Sequence, residues 1–399
     1  MIIELHLLQS FPTSNLNRDD LGQPKSVTFG GVLRSRVSSQ CLKRSARDLF
    51  PEVGLAAGDT AVRTKRLLQK AAAEIAGDAR EVSEQNQDVV REALQQMGFG
   101  LDTNDLTQYL LFVSRSAVDK LAAYCTKHRE RLLKDAEKRR KEKEKEEQAK
   151  EKGKGREKAS DKKKPTGDAL TMAREILDAR KSVDIALFGR MIADNKDFNV
   201  DAASQVAHAI STHAVGVEYD FYTAVDDLKP DAEAGADMIG TVDFNAACYY
   251  RYANLDLDQL RLNLFGKAPE ADFVDEDLMQ RAVSAWLNAF VRAVPSGKQN
   301  SMAALTLPDT LMVVVRDSGT WNLANSFLSP VSGTRVMEDS TARLWEHFTQ
   351  LREFYGQGEI NAVAVSSVSG SLDELKVPDD ERAKTLAELT GKVMDAVRG

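Results

Sequence analysis

The chain has 399 residues, 42% hydrophobic and 29% charged, with 54 Lys and Arg against 61 Asp and Glu for a net charge of −7. That length accommodates two domains, or one with a large insertion, and the overall charge is no argument for a polyanion partner. Cys41, Cys125 and Cys248 are scattered and odd in number, with no CxxC pair or Cys/His cluster of zinc spacing. No metal site is therefore expected, and three isolated thiols fit a reducing cytoplasm.

In chain order, residues 2–11 of "MIIELHLLQSF" read as a buried first strand with Glu4 and His6 inside its apolar run. The stretch has no basic flank and is too short for a signal peptide or a membrane span, and no later segment reaches spanning length. His6 is expected to be buried rather than catalytic. A polar loop follows. From Arg18 to Arg47 there are seven basic residues (Arg18, Lys25, Arg34, Arg36, Lys43, Arg44, Arg47) against Asp19 and Asp20. Ser38 and Ser39 are good N-caps, which predicts a helix over 40–50. Leu42, Ala46, Leu49 and Phe50 mark its core side. Gln40, Lys43, Arg44 and Arg47 mark the other side, beside a helix start that already favours phosphate. Solvated helix faces normally mix their charges, so this one reads as a nucleic-acid surface.

From residue 60 to 181 the pattern is helical. It holds a charged insertion at 128–167, and residues 127–164 carry 18 basic and 10 acidic side chains. The front of the insertion alternates Glu and Lys as a solvated helix does, while its Gly-bearing back half is expected to be disordered. After 182 comes the apolar "VDIALFGRM". A helix is then expected in "AASQVAHAISTHAV", where His208 and His213 are five apart, unsuited to share one metal. "GVEYDFYTAVDDL" and "TVDFNAACYYRYANLDL" alternate as strands around a hairpin tip. A helix at 275–294, a strand at 310–316, a helix near 338–354, a strand "INAVAVSS" and a helix at 379–397 complete the chain.

Without the helical block the order is strand, helix, strand, strand, helix, strand. That is an α+β, RRM- or ferredoxin-like plan, although the usual aromatic RNP signature is absent. Residues 217–278 hold 15 acidic side chains, among them Asp226 and Asp227. These two neighbours point to opposite strand faces and cannot share one ion. Part of that stretch is expected to face the basic surface of another copy. No Ser/His/Asp elbow, phosphate loop, GxGxxG or HExxH is present, and no cofactor is expected. Asp19 and Asp20 are read as bracing the loop around Arg18. The competing reading is an endoribonuclease in which one of them assists RNA cleavage. A general single-strand RNA coat is a third.

"LNRDDLGQPKSVTFGGVLRSRVSSQCLKRSAR", followed in order by "DIALFGRM", "AHAISTHAV", "FYTAVDDL", "YYRYANLDL" and "VPSGKQ", resembles the CasC family. This is the backbone subunit of the type I-E CRISPR Cascade complex, within the RAMP superfamily. The resemblance implies a right hand: an RRM-like palm (1–59 and 191–399), a helical fingers domain (60–190) inserted into it, and a β-hairpin thumb at about 217–245. It implies a non-catalytic subunit that polymerises along the spacer of a guide RNA (crRNA) and presents it in segments to a target DNA strand. Its partners would be further copies of itself in a helical filament, the large and small subunits, the 5'-handle-binding subunit and the repeat-processing endoribonuclease. By the same resemblance the guide backbone would be held by Arg18, Lys25, Ser38, Gln40, Lys43 and Arg47. Met191 would wedge against bases, Phe221, Thr223 and Val225 would begin the thumb's contact, and Lys298 is a weaker candidate. The charged insertion is where the sequence departs from the family pattern.

Overall fold

The computed structural model describes residues 1–78, 80, 82–151, 167–192, 198–224, 238–267, 269–270 and 273–398. The chain divides into two compact units, one of residues 1–55, 203–261 and 275–399, the other of residues 56–202 and 262–274. Of the described residues, 191, 192 and 198–202 fall within the second unit.

The first unit is α+β, built on a nine-stranded sheet whose main path runs β11-β10-β1-β9-β7-β3-β2. The strands are β1 (Ile2–Ser14), β2 (Ser26–Phe29), β3 (Val32–Val37), β6 (Ser204–Val206), β7 (Ala209–Ser211), β8 (Glu218–Ala224), β9 (Met238–Asp256), β10 (Thr310–Arg316) and β11 (Ile360–Ser367). All pairings within it are antiparallel. β1 is central and buried along nearly its whole length, so its apolar residues serve both faces. On one face Leu8, Tyr250, Tyr252, Met312 and Val314 pack with Leu344, Trp345 and Phe348 of helix α11 (Val336–Tyr355). On the other, Phe11, Val37, Ala247 and Tyr249 pack with Leu42 of helix α1 (Ser39–Asp48), and α1 meets helix α9 (Glu276–Arg292). His6 is buried, as its position inside the first strand led one to expect, and bonds the Tyr250 hydroxyl at 2.9 Å.

The expected helix over residues 202–215 does not form. That segment is β6 and β7, joined by a short link and both paired to β9. Its alanines read as helical locally, but Ser204 and Ser211 are buried, and the ladder with β9 overrides propensity. The last helix, α12 (Leu386–Arg398), starts later than expected. Residues 381–383 instead exchange backbone bonds with Val365 at the edge of β11.

The second unit packs helices α2 (Leu67–Ala76), α3 (Glu84–Gln96), α4 (Ala117–Lys127) and α6 (Asp168–Ile176) around Leu68, Val90, Leu94, Leu121 and Ile176. A two-stranded sheet of β4 (Ala61–Thr64) and β5 (Leu111–Ser114) belongs to it. The front of the charged insertion forms helix α5 (Arg129–Glu151), and the part expected to be disordered lies outside the described residues.

Candidate nucleic-acid interface

The basic segment folds as a loop, a hairpin and a helix stitched together by backbone. The Lys25 N–H donates to the Asn17 carbonyl, and the Arg36 N–H to the Lys25 carbonyl. The Ser38 N–H donates to Asn17 Oδ1 at 2.9 Å, and Ser38 Oγ caps α1 by accepting from the Cys41 N–H. Asp19 braces the loop: its Oδ1 accepts from the N–H groups of both Leu21 and Gln23 at 2.9 Å. The glycine pair between β2 and β3 turns with φ of +62° and +80°, and a Cβ at Gly30 would overlap the Leu328 carbonyl.

Leu42 and Ala46 of α1 face the core, while Gln40 and Arg44 are exposed and Lys43 and Arg47 half-buried. Burial lowers the Lys43 ammonium pKa from its ordinary value. Arg18 is exposed and Lys25 half-buried. Arg34 leaves the basic surface altogether. It is fully buried and its guanidinium donates to the carbonyls of Phe29, Ser211 and Phe327. Strand alternation placed Arg34 and Arg36 together, but a segment almost 300 residues away covers one of them (|i−j| = 293 for Arg34 to Phe327).

An open groove of about 990 Å³ runs between residues 16–22, the outer side of α1 and residues 292–297, with Arg18, Arg44 and Arg292 against Asp19, Asp20, Asp48 and Glu52 along it. Gly297 makes this apposition possible, since a Cβ there would come within 2.5 Å of the Asn15 and Leu16 carbonyls. Beside it, exposed Lys298 holds a left-handed φ of +52°. The sequence thus places Arg18, Lys25, Ser38, Gln40, Lys43 and Arg47 in one region of this unit, with Lys298 on the adjoining loop.

β8 and the start of β9 form a hairpin whose first strand is exposed at every residue. Phe221, 72% exposed, and Thr223 share one face with Tyr219 and Ile239. Tyr222 lies on the other, its ring over Gly240. Val225, Asp226 and Asp227 lie outside the described residues. In the helical unit, Met191 is 85% exposed, so core packing is not its role. His213 satisfies backbone, accepting from the Cys248 N–H and bonding the Ala214 carbonyl. Among the described residues no group of three His, Cys, Asp or Glu could hold a metal ion, and no helix is long and apolar enough to cross a membrane.

Sequence reasoning missed the contact between Arg36 and His208, at 3.0 Å. The register that brings them together depends on β7, which was read as helix.

The chain is similar over 99% of its length to a chain of a CRISPR RNA-guided surveillance complex in a pre-nicking state, at 32% identity, TM-score 0.78 and full coverage of that chain. A chain of another CRISPR RNA-guided surveillance complex matches at 26% identity and TM-score 0.69, again over 99% of this chain and all of that one. No curated protein matches it. The profile of the CT1975-like protein family spans residues 3–392, and the chain belongs to that family.

Proposed function

We propose that this chain is a non-catalytic backbone subunit of a type I-E CRISPR surveillance complex, of the CasC kind within the RAMP superfamily. It polymerises along the spacer of a crRNA in the cytoplasm and holds the guide by its phosphates, leaving the bases to pair with target DNA. The observation that carries this reading is the end-to-end likeness to a chain of an RNA-guided surveillance complex. The strand path β10-β1-β9-β7, with α1 packed on one face and α9 bonded to the sheet through Phe290 to Arg251 and Trp286 to Ser204, supports an RRM-like palm. The helical unit then corresponds to the fingers and the exposed hairpin to the thumb. Its partners are further copies of itself, the large and small subunits, the 5'-handle-binding subunit and the repeat-processing endoribonuclease.

The outer side of α1 is the phosphate rail, with Arg18, Lys25, Ser38 and Gln40 at its start. Lys43 supplies a point charge and Arg47 a fork that matches phosphate oxygens. Phe221 and Thr223 meet RNA from one hairpin face, and Met191 wedges against bases without sequence preference. A non-catalytic role is favoured over cleavage by Asp19 because its carboxylate is held by two backbone donors. RNA cleavage that disappears in the Asp19→Asn, Asp20→Asn double variant would overturn it.

The direct test is binding of a spacer-length guide RNA across a salt series, for wild type and for Lys43→Ala with Arg47→Ala. The wild type should lose affinity steeply with salt, and the double variant's slope should be shallower by roughly 0.7 per lost contact. Equal slopes would remove α1 from the interface.

A further inference from the structure

Extending the β2–β3 register by one pair sets Lys25 opposite Arg36, since Ser26 pairs Ser35 and the Arg36 N–H bonds the Lys25 carbonyl. Residues directly opposite on antiparallel strands project to the same face, where like charges destabilise the sheet. No carboxylate offsets them: among the described residues neither Lys25 nor Arg36 has an acidic partner within ion-pair distance. The Arg36 guanidinium donates instead to the Ser26 carbonyl and approaches Nδ1 of exposed His208 at 3.0 Å. A guanidinium has no acceptor, so His208 Nδ1 is the acceptor here, and the ring is neutral with its proton on Nε2. Partial burial first, and then the charges of Arg36 and Lys25, lower the His208 pKa from its ordinary value. Three basic groups from three separate segments converge at the N-terminal end of α1, two residues before the Ser38 cap. Among the described residues the cluster is basic on all three sides, with no carboxylate paired to it.

We infer that Lys25, Arg36 and His208 form a proton-linked phosphate seat for the guide RNA, continuous with the rail at Ser38. The inference rests on the guide-binding reading above and extends it to two residues and a regulatory behaviour. When a phosphate enters, Arg36 turns its N–H groups from His208 Nδ1 to the phosphate oxygens. The anion offsets the two cations, and His208 takes up one proton from solvent at Nδ1, which becomes a second donor to phosphate. No bond to phosphorus changes. Binding is therefore coupled to uptake of a proton, and affinity rises as pH falls through the histidine range.

The experiment is fluorescence anisotropy of a spacer-length guide RNA with the full chain between about pH 7.5 and 5.5. It compares wild type, His208→Gln, Arg36→Gln, Arg36→Lys and the Lys43→Ala, Arg47→Ala variant. Wild-type affinity should rise about threefold or more on acidification, and His208→Gln should lose that rise. Arg36→Gln should flatten the salt slope by roughly 0.7, and Arg36→Lys should restore it. A full pH response in His208→Gln, or an unchanged salt slope in Arg36→Gln, overturns the seat. So does loss of RNA-free self-association in Arg36→Gln with its RNA salt slope intact, which would assign the cluster to an acidic surface of another copy. If Arg36→Gln fails to fold, His208→Gln decides alone, since it alters only an exposed ring. Failure of the guide-binding reading looks different: the wild type itself would bind the spacer-length RNA weakly and without the steep loss of affinity with salt.

Discussion

At the scale of residues, the basic segment contains side chains of the same type with opposite duties, and burial separates them. Arg34 is a core element whose fork closes three carbonyls from three segments. Replacing it with Leu leaves those acceptors unpaired around a buried side chain, each costing about 1–3 kcal/mol. Arg34→Leu should therefore lower stability by about 3 kcal/mol or more in a denaturant titration. Arg44→Ala on the exposed side of α1 loses only a weak surface pair with Asp48 at 3.7 Å and should stay within about 0.5 kcal/mol. A near-zero effect for Arg34→Leu would return that guanidinium to the surface. From the sequence alone these arginines look alike. What distinguishes them is the chain around Phe327 and Leu328 folding over one of them, a long-range event that no local pattern encodes.

At the scale of elements, what could be read from the sequence was whatever a single period decides. β1, β8, β9, β10 and β11 show themselves by alternation or apolar runs, and α1 by its cap and its two-sided helix. β6 and β7 were hidden because each has only three residues, too few for a period, and both owe their form to β9. The candidate site was legible to the same extent: the rail follows from spacing on α1, whereas the Arg36–His208 contact needs the pairing of β3 with β7. The hairpin carries a prediction of its own. Its register puts Phe221 and Thr223 on one face and Tyr222, lying over Gly240, on the other. Under the proposed thumb role, Phe221→Ala should weaken guide binding by roughly 1–3 kcal/mol, the range for loss of one base-stacking aromatic. Tyr222→Ala should leave RNA affinity nearly unchanged while loosening the hairpin, seen as faster amide exchange over residues 218–224. Equal losses of affinity in the two variants would mean that both faces meet RNA.

At the scale of the whole molecule, the proposed seat would make protons act on the fold and on the interface in opposite directions. His6 sits at the centre of the nine-stranded sheet, fully enclosed. Burial first, and the Arg316 charge second, lower its pKa from 6.5 to about 3. The folded state therefore refuses a proton that the unfolded chain accepts. The stability this group contributes is complete above pH 6.5 and is lost progressively as pH falls from there toward about 3. His208 lies on the surface, and under the proposed seat its protonation strengthens guide binding over the same first step of acidification. The unfolding midpoint of the free chain should thus drop on acidification below pH 6.5, while guide affinity rises. His6→Asn should reduce the pH slope of stability by up to one proton's worth and leave the pH slope of RNA binding alone; His208→Gln should do the reverse. Urea titrations and RNA binding on the same three proteins check both statements. If one substitution moved both slopes, the fold and the interface would share a single proton, and the separation argued from their burial would be wrong.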